Sequence, residues 1–465
     1  MQTLPSEVGS GLVLAPFRGI RYARDRVSGI ANVTSPPYDV ISGGSLEHLR
    51  AADPHNVVRL ILPGEAADAS RAAASLLRAW LSAGVLIGDR LPALYLYEQA
   101  GAGSSWLQRG IIGLVRLGSP ESAGILPHEG VLPGLVADRR ELMAATRANL
   151  EPIFLIYDGE PTADGPTTVP PVSDGTTAGG TTAGATAAGG TATGVIDTVA
   201  AGRAPLVSIA TEDGVTHRLW RLDDPGEQAT IACDLAGRRA LIADGHHRYA
   251  AYLELQSELR AAGLGAGPWD YGLAFLVDSD AYPPRVGAIH RVLPGLRPER
   301  AAELAKAAFT VQDLPAGISL AEAQDHLAEA GRTGTAFLLA GGAPGTAFRL
   351  LSQPDPVQVA ASMPAGASAP WQSLDASVLQ QLLVSRIWGI TDSVRDVLIN
   401  HDAADAVRMA SGLGATAVIS NAPSFEDVIQ IAAHGERVPS KSTSFGPKPR
   451  TGLVLRTFGR SDQAC

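Results

Sequence analysis

The sequence predicts an α/β protein of mixed α+β type, built as two units. Three observations carry that prediction. Apolar runs of strand length alternate with segments of helical spacing through residue 294, helical patterns alternate with a further set of short strands beyond it, and one Gly/Thr/Ala-rich stretch interrupts the first pattern. At 465 residues the chain is also too long for one compact core.

Taken in order, 57–63 (VVRLILP), 93–99 (ALYLYEQ) and 109–117 (RGIIGLVRL) read as strands. Between the first two, 68–83 reads as a helix, with Leu76, Leu77, Trp80 and Leu81 on one face. A helix is expected over 135–149, strands over 152–158, 205–211, 217–222 and 238–244, and another helix from His246. The stretch 159–203 holds too little apolar bulk to offset the entropy of ordering, so it reads as a disordered insertion. It interrupts a first domain, 1–294, because strand-like segments flank it on both sides. AIHRV closes that domain as a strand with an exposed basic pair, His290 and Arg291. Residues 295–465 form the second, α+β domain, where helical patterns at 298–309, 320–330, 374–387 and 425–434 alternate with FLLA, FRLL and TAVIS.

A formal charge of −10 leaves no basic field to gather a polyanion, which argues against nucleic acid as a partner. Cys233 and Cys465 are too few for a disulfide framework. The start lacks a basic segment followed by a long apolar one, and no window of about 18 apolar residues occurs. These features predict a cytoplasmic protein with no membrane partner. Lysine is scarce, standing only at Lys306, Lys441 and Lys448 among 37 basic residues, so positions that keep it draw notice.

The chemistry concentrates in RALIADGHHRYAAYLE, 239–254. A short buried-type strand ends at Asp244, and helical spacing begins at His246, so Gly245 falls at the turn. A helix N-terminus presents unpaired N–H groups and the positive end of its dipole to an anion. Gly245 admits close approach, the N–H groups of His246 and His247 can point outward, and Arg248 offers a forked cation. Together they form a candidate phosphate cradle; the plainer reading is an Asp cap on a glycine turn. Asp244 would repel bare phosphate, so it either caps the backbone or holds Mg2+ against the phosphate. Consecutive helical histidines point about 100° apart and do not suit one metal ion.

ADGHHRY resembles the box of the ParB/sulfiredoxin-like superfamily, in the form found in free L-serine kinases. Upstream, GILPHEGVLPGLVADRRELMAATRANLEPIFLIYD is similar to the segment that precedes that box. From SPPYDVIS and HNVVRLILP through LPHE and ADGHHRY to KSTSFGPKPRTGLV, nearly the whole chain resembles the bacterial family of unknown function numbered 1015. The resemblance implies a ParB/sulfiredoxin-like core with an N-terminal elaboration. It implies a nucleotide, ATP or ADP, accompanied by Mg2+, and a kinase that transfers phosphate to an amino-acid hydroxyl, with L-serine as the first candidate. Glu129 then takes the role of general base, with His128 beside it. Read without the resemblance, LPHE is a turn. Sulfiredoxin chemistry is set aside, because its box needs a cysteine where this chain has His246.

KSTSFGPK adds Lys441, Ser442, Thr443 and Lys448 as candidate substrate or phosphate contacts, the alternative being a surface loop with capping hydroxyls. In SPPYDVIS, Tyr38 and Asp39 either face a cleft or belong to a turn. The alternative to a kinase is a non-catalytic nucleotide-binding regulatory protein.

Overall fold

The computed structural model describes residues 11–41, 43–104, 106–158, 190–342, 347–390, 396–439 and 441–458. Contacts divide the chain into two units, one made of 1–126, 131–284 and 447–465, the other of 127–130 and 285–446. The tail from Pro447 thus packs within the first unit, whereas the sequence reading gave all of 295–465 to the second domain.

The first unit is built on a mixed sheet. Its strands are β1 (Leu14–Ala15), β2 (Leu94–Ala100), β3 (Leu107–Arg116), β4 (Ile125–Leu126), β5 (Ile153–Tyr157), β6 (Val207–Ala210), β7 (Thr216–Leu222), β8 (Ala240–Asp244) and β9 (Tyr271–Asp278). Their order is β4-β8-β5-β9-β3-β2-β7-β6, with β1 beside β3. The β4–β8 and β5–β9 pairs are parallel, and the others antiparallel. Every residue of β5 and β8 is buried, as expected of strands covered on both faces. The unit's helices of eleven or more residues are α1 (Ala69–Ser82), α2 (Pro133–Thr146), α3 (Ala192–Gly202), α4 (Pro225–Leu235) and α5 (His246–Ala261).

Two sequence expectations need correction here. VVRLILP is not a strand: Val58–Ile61 forms a helical turn that opens where Asn56 Oδ1 accepts the Val58 N–H at 2.9 Å. Val57, Val58, Leu60 and Ile61 are all fully buried, and a short all-apolar run cannot tell a buried helix from a buried strand. The expected disordered insertion ends sooner than 203. Its part at 159–189 lies outside the described residues, but α3 is helical. Thr191 caps α3 by accepting the Gly194 N–H, and Ile196 and Val199 are buried. That i, i+3 apolar pair was hidden in a low-complexity composition.

The second unit carries an antiparallel sheet of β10 (His290–Leu293), β11 (Thr310–Asp313), β12 (Phe337–Gly341), β13 (Arg349–Ser352), β14 (Leu398–Asn400) and β15 (Thr416–Ser420). Their order is β11-β13-β12-β15-β10-β14. Alternate residues feed two cores, Phe337 and Leu339 on one face and Leu338 and Ala340 on the other. Helices α6 (Pro298–Ala305) and the run 375–387 cover one face; α7 (Leu320–Gly331) and α8 (Ala403–Leu413) cover the other. A further helix, α9, spans Phe425–Ala433. His290 and Arg291 are buried at 5% and 2% exposure, not an exposed basic pair. Among the described residues no helix is long and apolar enough to cross a membrane.

Candidate functional site

Strand β8 runs directly into α5 through Gly245, as the sequence predicts. The register against β5 shifts between Ile242 and Asp244, so the strand breaks its ladder just before the turn. Gly245 sits in the left-handed region at φ 97° and ψ 27°. A Cβ there would stand 3.2 Å from Nε and Nη2 of Arg248, so the glycine also makes room for the guanidinium.

Arg248 does not present its fork outward. It is 3% exposed, with Nη1 donating to the Pro152 carbonyl at 2.6 Å and Nη2 to Asp244 Oδ2. Its i, i+4 bond to Asp244 fixes that carboxylate at the start of the helix. The other Asp244 oxygen meets Lys448 Nζ at 2.6 Å, and the same ammonium lies 2.8 Å from Asp39 Oδ2. Three distant segments, SPPYD, ADGHHR and GPKPR, therefore converge on one ammonium within the first unit.

Lys448 is aimed by the sheet beneath it. Tyr97 and Gln99 lie two apart on β2 and so share a face, and Gln108 pairs with Gln99 across β3. Gln99 Nε2 donates to the Lys448 carbonyl at 3.0 Å, Gln108 Nε2 to the Pro447 carbonyl at 2.9 Å, and the Arg450 N–H to Tyr97 Oη at 3.1 Å. Ser35 and Thr451 are bridged, which ties the SPPYD segment to the same tail. Glu151 completes the surroundings: its Oε1 accepts the Tyr38 N–H at 3.0 Å and the Thr451 hydroxyl at 3.1 Å. The Tyr38 ring lies against both Arg139 and Arg248, with their guanidinium carbons 4.5 and 5.8 Å from its centre.

The two carboxylates on Lys448 are driven apart. Burial raises Asp244 above the usual carboxylate range, helped by the Asp39 charge and opposed by Arg248 and Lys448. Burial also pushes on Asp39, but Lys448 and Arg248 outweigh it and leave that group below its ordinary value. Burial raises Glu151, with Arg248 and Arg139 opposing. Of the two carboxylates, Asp39 is therefore the one that ionises more readily.

The histidines take separate places. His246 is buried, and His247 Nε2 accepts the N–H of Leu132, the residue that opens α2, at 3.0 Å. Asp244 is a poor magnesium ligand, since each oxygen already holds a cation. Among the described residues no group of three or more His, Cys, Asp or Glu is arranged to hold a metal ion.

In the second unit, the PHE and KSTS motifs meet. Thr443 Oγ1 donates to Glu129 Oε1 at 3.0 Å and lies 2.8 Å from His128 Nε2. Because the hydroxyl has one proton and spends it on Glu129, His128 Nε2 carries a proton and donates to Thr443. His128 is fully buried and packs edge-on against Phe445. Lys441 and Ser442 line a cavity of this unit, away from that hydroxyl chain in role: Ser442 Oγ bonds the Pro439 carbonyl. The KSTSFGPK motif is thus divided between the units, with Lys448 in the first.

Sequence reasoning left Tyr38 and Asp39 undecided and missed Glu151, Tyr97 and the glutamines. Glu151 carried one signal, an acid two residues before the buried strand β5. The glutamines carried none.

Tyr97 also contacts His217, with Oη 2.8 Å from Nδ1. Burial holds His217 down at about 4 from an ordinary 6.5, with Arg450 acting in the same direction and Asp213 against it. The unfolded chain binds this proton first as pH falls. Stability is therefore full above about 6.5 and declines toward pH 4, by on the order of 3 kcal/mol. Denaturant titrations of His217→Gln should show a flatter decline than the parent across that window; parallel curves would refute the assignment.

The chain belongs to the family described as a protein of unknown function, DUF1015, whose sequence pattern matches residues 14–377. No curated protein matches it in sequence. Among solved structures it is similar to a free serine kinase in complex with AMP, at 14% identity and a TM-score of 0.34 over 73% of this chain and 90% of that one. A conserved hypothetical protein from Pyrococcus furiosus is similar at 14% identity and a TM-score of 0.32, covering 71% of this chain and 90% of its own. SbnI with a C-terminal truncation, from Staphylococcus aureus, is similar at 11% identity and a TM-score of 0.31, covering 72% and 82%.

Proposed function

We propose that this member of the DUF1015 family is a small-molecule kinase that transfers a phosphate from ATP or ADP to an amino-acid hydroxyl, with L-serine as the first acceptor to test. The observation that carries the reading is the Lys448 ammonium, which lies beside the Gly245 turn where α5 begins while buried glutamines hold the Pro447 and Lys448 backbone carbonyls. A helix N-terminus and an ammonium together suit a phosphate.

In this proposal Asp39 is the partner that Lys448 exchanges for phosphate. Its side chain is 34% exposed against 8% for Asp244, so of the two carboxylates on Lys448 it is the one an entering phosphate can reach. Asp244 stays fixed by Arg248, which acts as a positioning residue, and His246 and His247 contribute backbone N–H groups. Mg2+ enters with the nucleotide as its counter-ion. Glu129 is the general base, kept as an acceptor by the donation from Thr443. The acceptor oxygen bonds to the terminal phosphorus as the bond to the bridging oxygen breaks. The hydroxyl proton passes to Glu129, and the bridging electron pair leaves with the nucleotide.

The second reading, a non-catalytic nucleotide-binding protein, draws on the same ammonium, which already has two carboxylate partners. Incubation with labelled ATP or ADP, Mg2+ and a panel of hydroxylated amino acids separates them. A phosphorylated amino acid is the expected product. Nucleotide binding without product favours the second reading, and absence of nucleotide binding removes both.

A further inference from the structure

The first unit holds a cavity of about 590 Å3, within the size range of small-molecule sites. Its walls come from the segment 31–36, the helix Gly43–Ala52 and the residues 210–213 at the end of β6. Arg450, on the returning tail, lies among them. Its Nε donates to Thr34 Oγ1 at 2.8 Å, and its Nη2 to the carbonyls of Thr34 and Ala31 at 3.2 and 3.4 Å. All of these acceptors are neutral. Among the described residues Nη1 has no acceptor, yet it is not sealed inside the protein, so it opens onto the cavity. Burial lowers Arg450 below its ordinary value, and Tyr97, Asp213 and Glu212, which act the other way, do not restore it.

Two carboxylates line the same cavity without forming an ion pair with Arg450. Glu212 is engaged by His48, whose Nε2 lies 3.1 Å from Oε2. Asp213 Oδ1 accepts the Val215 N–H at 3.2 Å and the Thr211 hydroxyl. Burial pushes the Asp213 carboxyl up, but these bonds outweigh it and leave the group below its ordinary value.

We propose that this cavity binds a small organic monocarboxylate, its carboxylate on Arg450 Nη1 and its carbon chain against Ala31, Pro36, Leu49, Ala52 and Ala210. A largely desolvated guanidinium bonded only to neutral groups calls for an anion. Asp213 and Glu212 limit the charge of that anion: a phosphate monoester carries about two charges at neutral pH and would meet both carboxylates, whereas a carboxylate carries one. The aliphatic walls give a carbon chain surface to bury. Unlike Lys448, Arg450 has no carboxylate to surrender before a ligand enters. The same chemistry has two sources, a plain organic acid or an amino acid whose ammonium would face Asp213.

The proposal does not rest on phosphotransfer, because binding is read without nucleotide. Calorimetric titration of the full chain with straight-chain carboxylates from acetate to hexanoate, and with each standard L-amino acid, should find at least one that binds at millimolar concentration. The carboxamide of that ligand should bind at least about tenfold more weakly, and Arg450→Gln should weaken the acid by about tenfold or more. Arg450 also ties Thr34 and Ala31 in place, so a second variant leaves it intact. Ala210→Trp, at an exposed strand end, fills the cavity and should weaken binding to the same degree with a melting temperature near that of the parent. Asp213→Asn identifies the source: weaker binding marks an amino acid, and stronger binding a plain acid. No binding by any of these ligands, equal binding by the carboxamide, inorganic phosphate competing as tightly as the acid, or binding unchanged in Ala210→Trp or in Asp213→Asn would each overturn the proposal.

Discussion

Arg248→Met should destabilise the first unit by about 3–5 kcal/mol near neutral pH, the range seen when one partner of a buried ion pair is removed. Arg248 is nearly inaccessible and bonds both Asp244 and the Pro152 carbonyl, and its charge is the leading one holding the fully buried Glu151 down. Methionine replaces the aliphatic stem of the side chain but not its guanidinium, and leaves those groups uncompensated. The pH dependence gives the test its sign. Burial already places Asp244 and Glu151 above the usual carboxylate range, and removing Arg248 raises them further. A group raised on folding favours the fold at low pH and loses that contribution as pH rises through its folded value. The deficit of the variant should therefore shrink on going from about pH 8 to about pH 5. Arg248→Lys keeps the charge without the fork and should lose less. Denaturant titrations that place Arg248→Met within about 1 kcal/mol of the parent at both pH values would show that the guanidinium is not the keystone of this cluster.

How far the sequence could be read depended on the kind of interaction. The β8–Gly245–α5 passage was legible because its signals are local: an apolar run, a glycine where φ turns positive, then helical spacing. The role of Arg248 was not, since its partners include the Pro152 carbonyl 96 positions away, and a backbone acceptor leaves no mark in sequence. The same holds for Lys448. Its scarcity singled it out, but its orientation comes from Gln99 and Gln108, 349 and 339 positions from the carbonyls they hold. The helix at Val58–Ile61 was misread because burial on every side erases the periodicity that separates helix from strand. Motif chemistry thus proved readable where a residue acts through its neighbours in sequence, and unreadable where the tail returns to the first unit.

Glu129→Gln should lower turnover by about 10²–10⁴ while leaving nucleotide affinity within a few-fold of the parent, if the proposed transfer is correct. The substitution is nearly isosteric, and the glutamine oxygen can still accept from Thr443, so the His128–Thr443 chain survives. What is lost is the capacity to take the acceptor's proton. Thr443→Val removes the donor that orients Glu129 but keeps the base, so its loss should be smaller and should fall mainly on kcat rather than KM. Lys448→Met should show the complementary pattern, with weakened nucleotide binding, because the ammonium contacts phosphate in the ground state as well as in the transition state. Both arms have adverse outcomes. Undiminished turnover in Glu129→Gln would take the proton-accepting role from that residue, and unchanged nucleotide affinity in Lys448→Met would move the phosphate away from the Asp39–Lys448–Asp244 cluster.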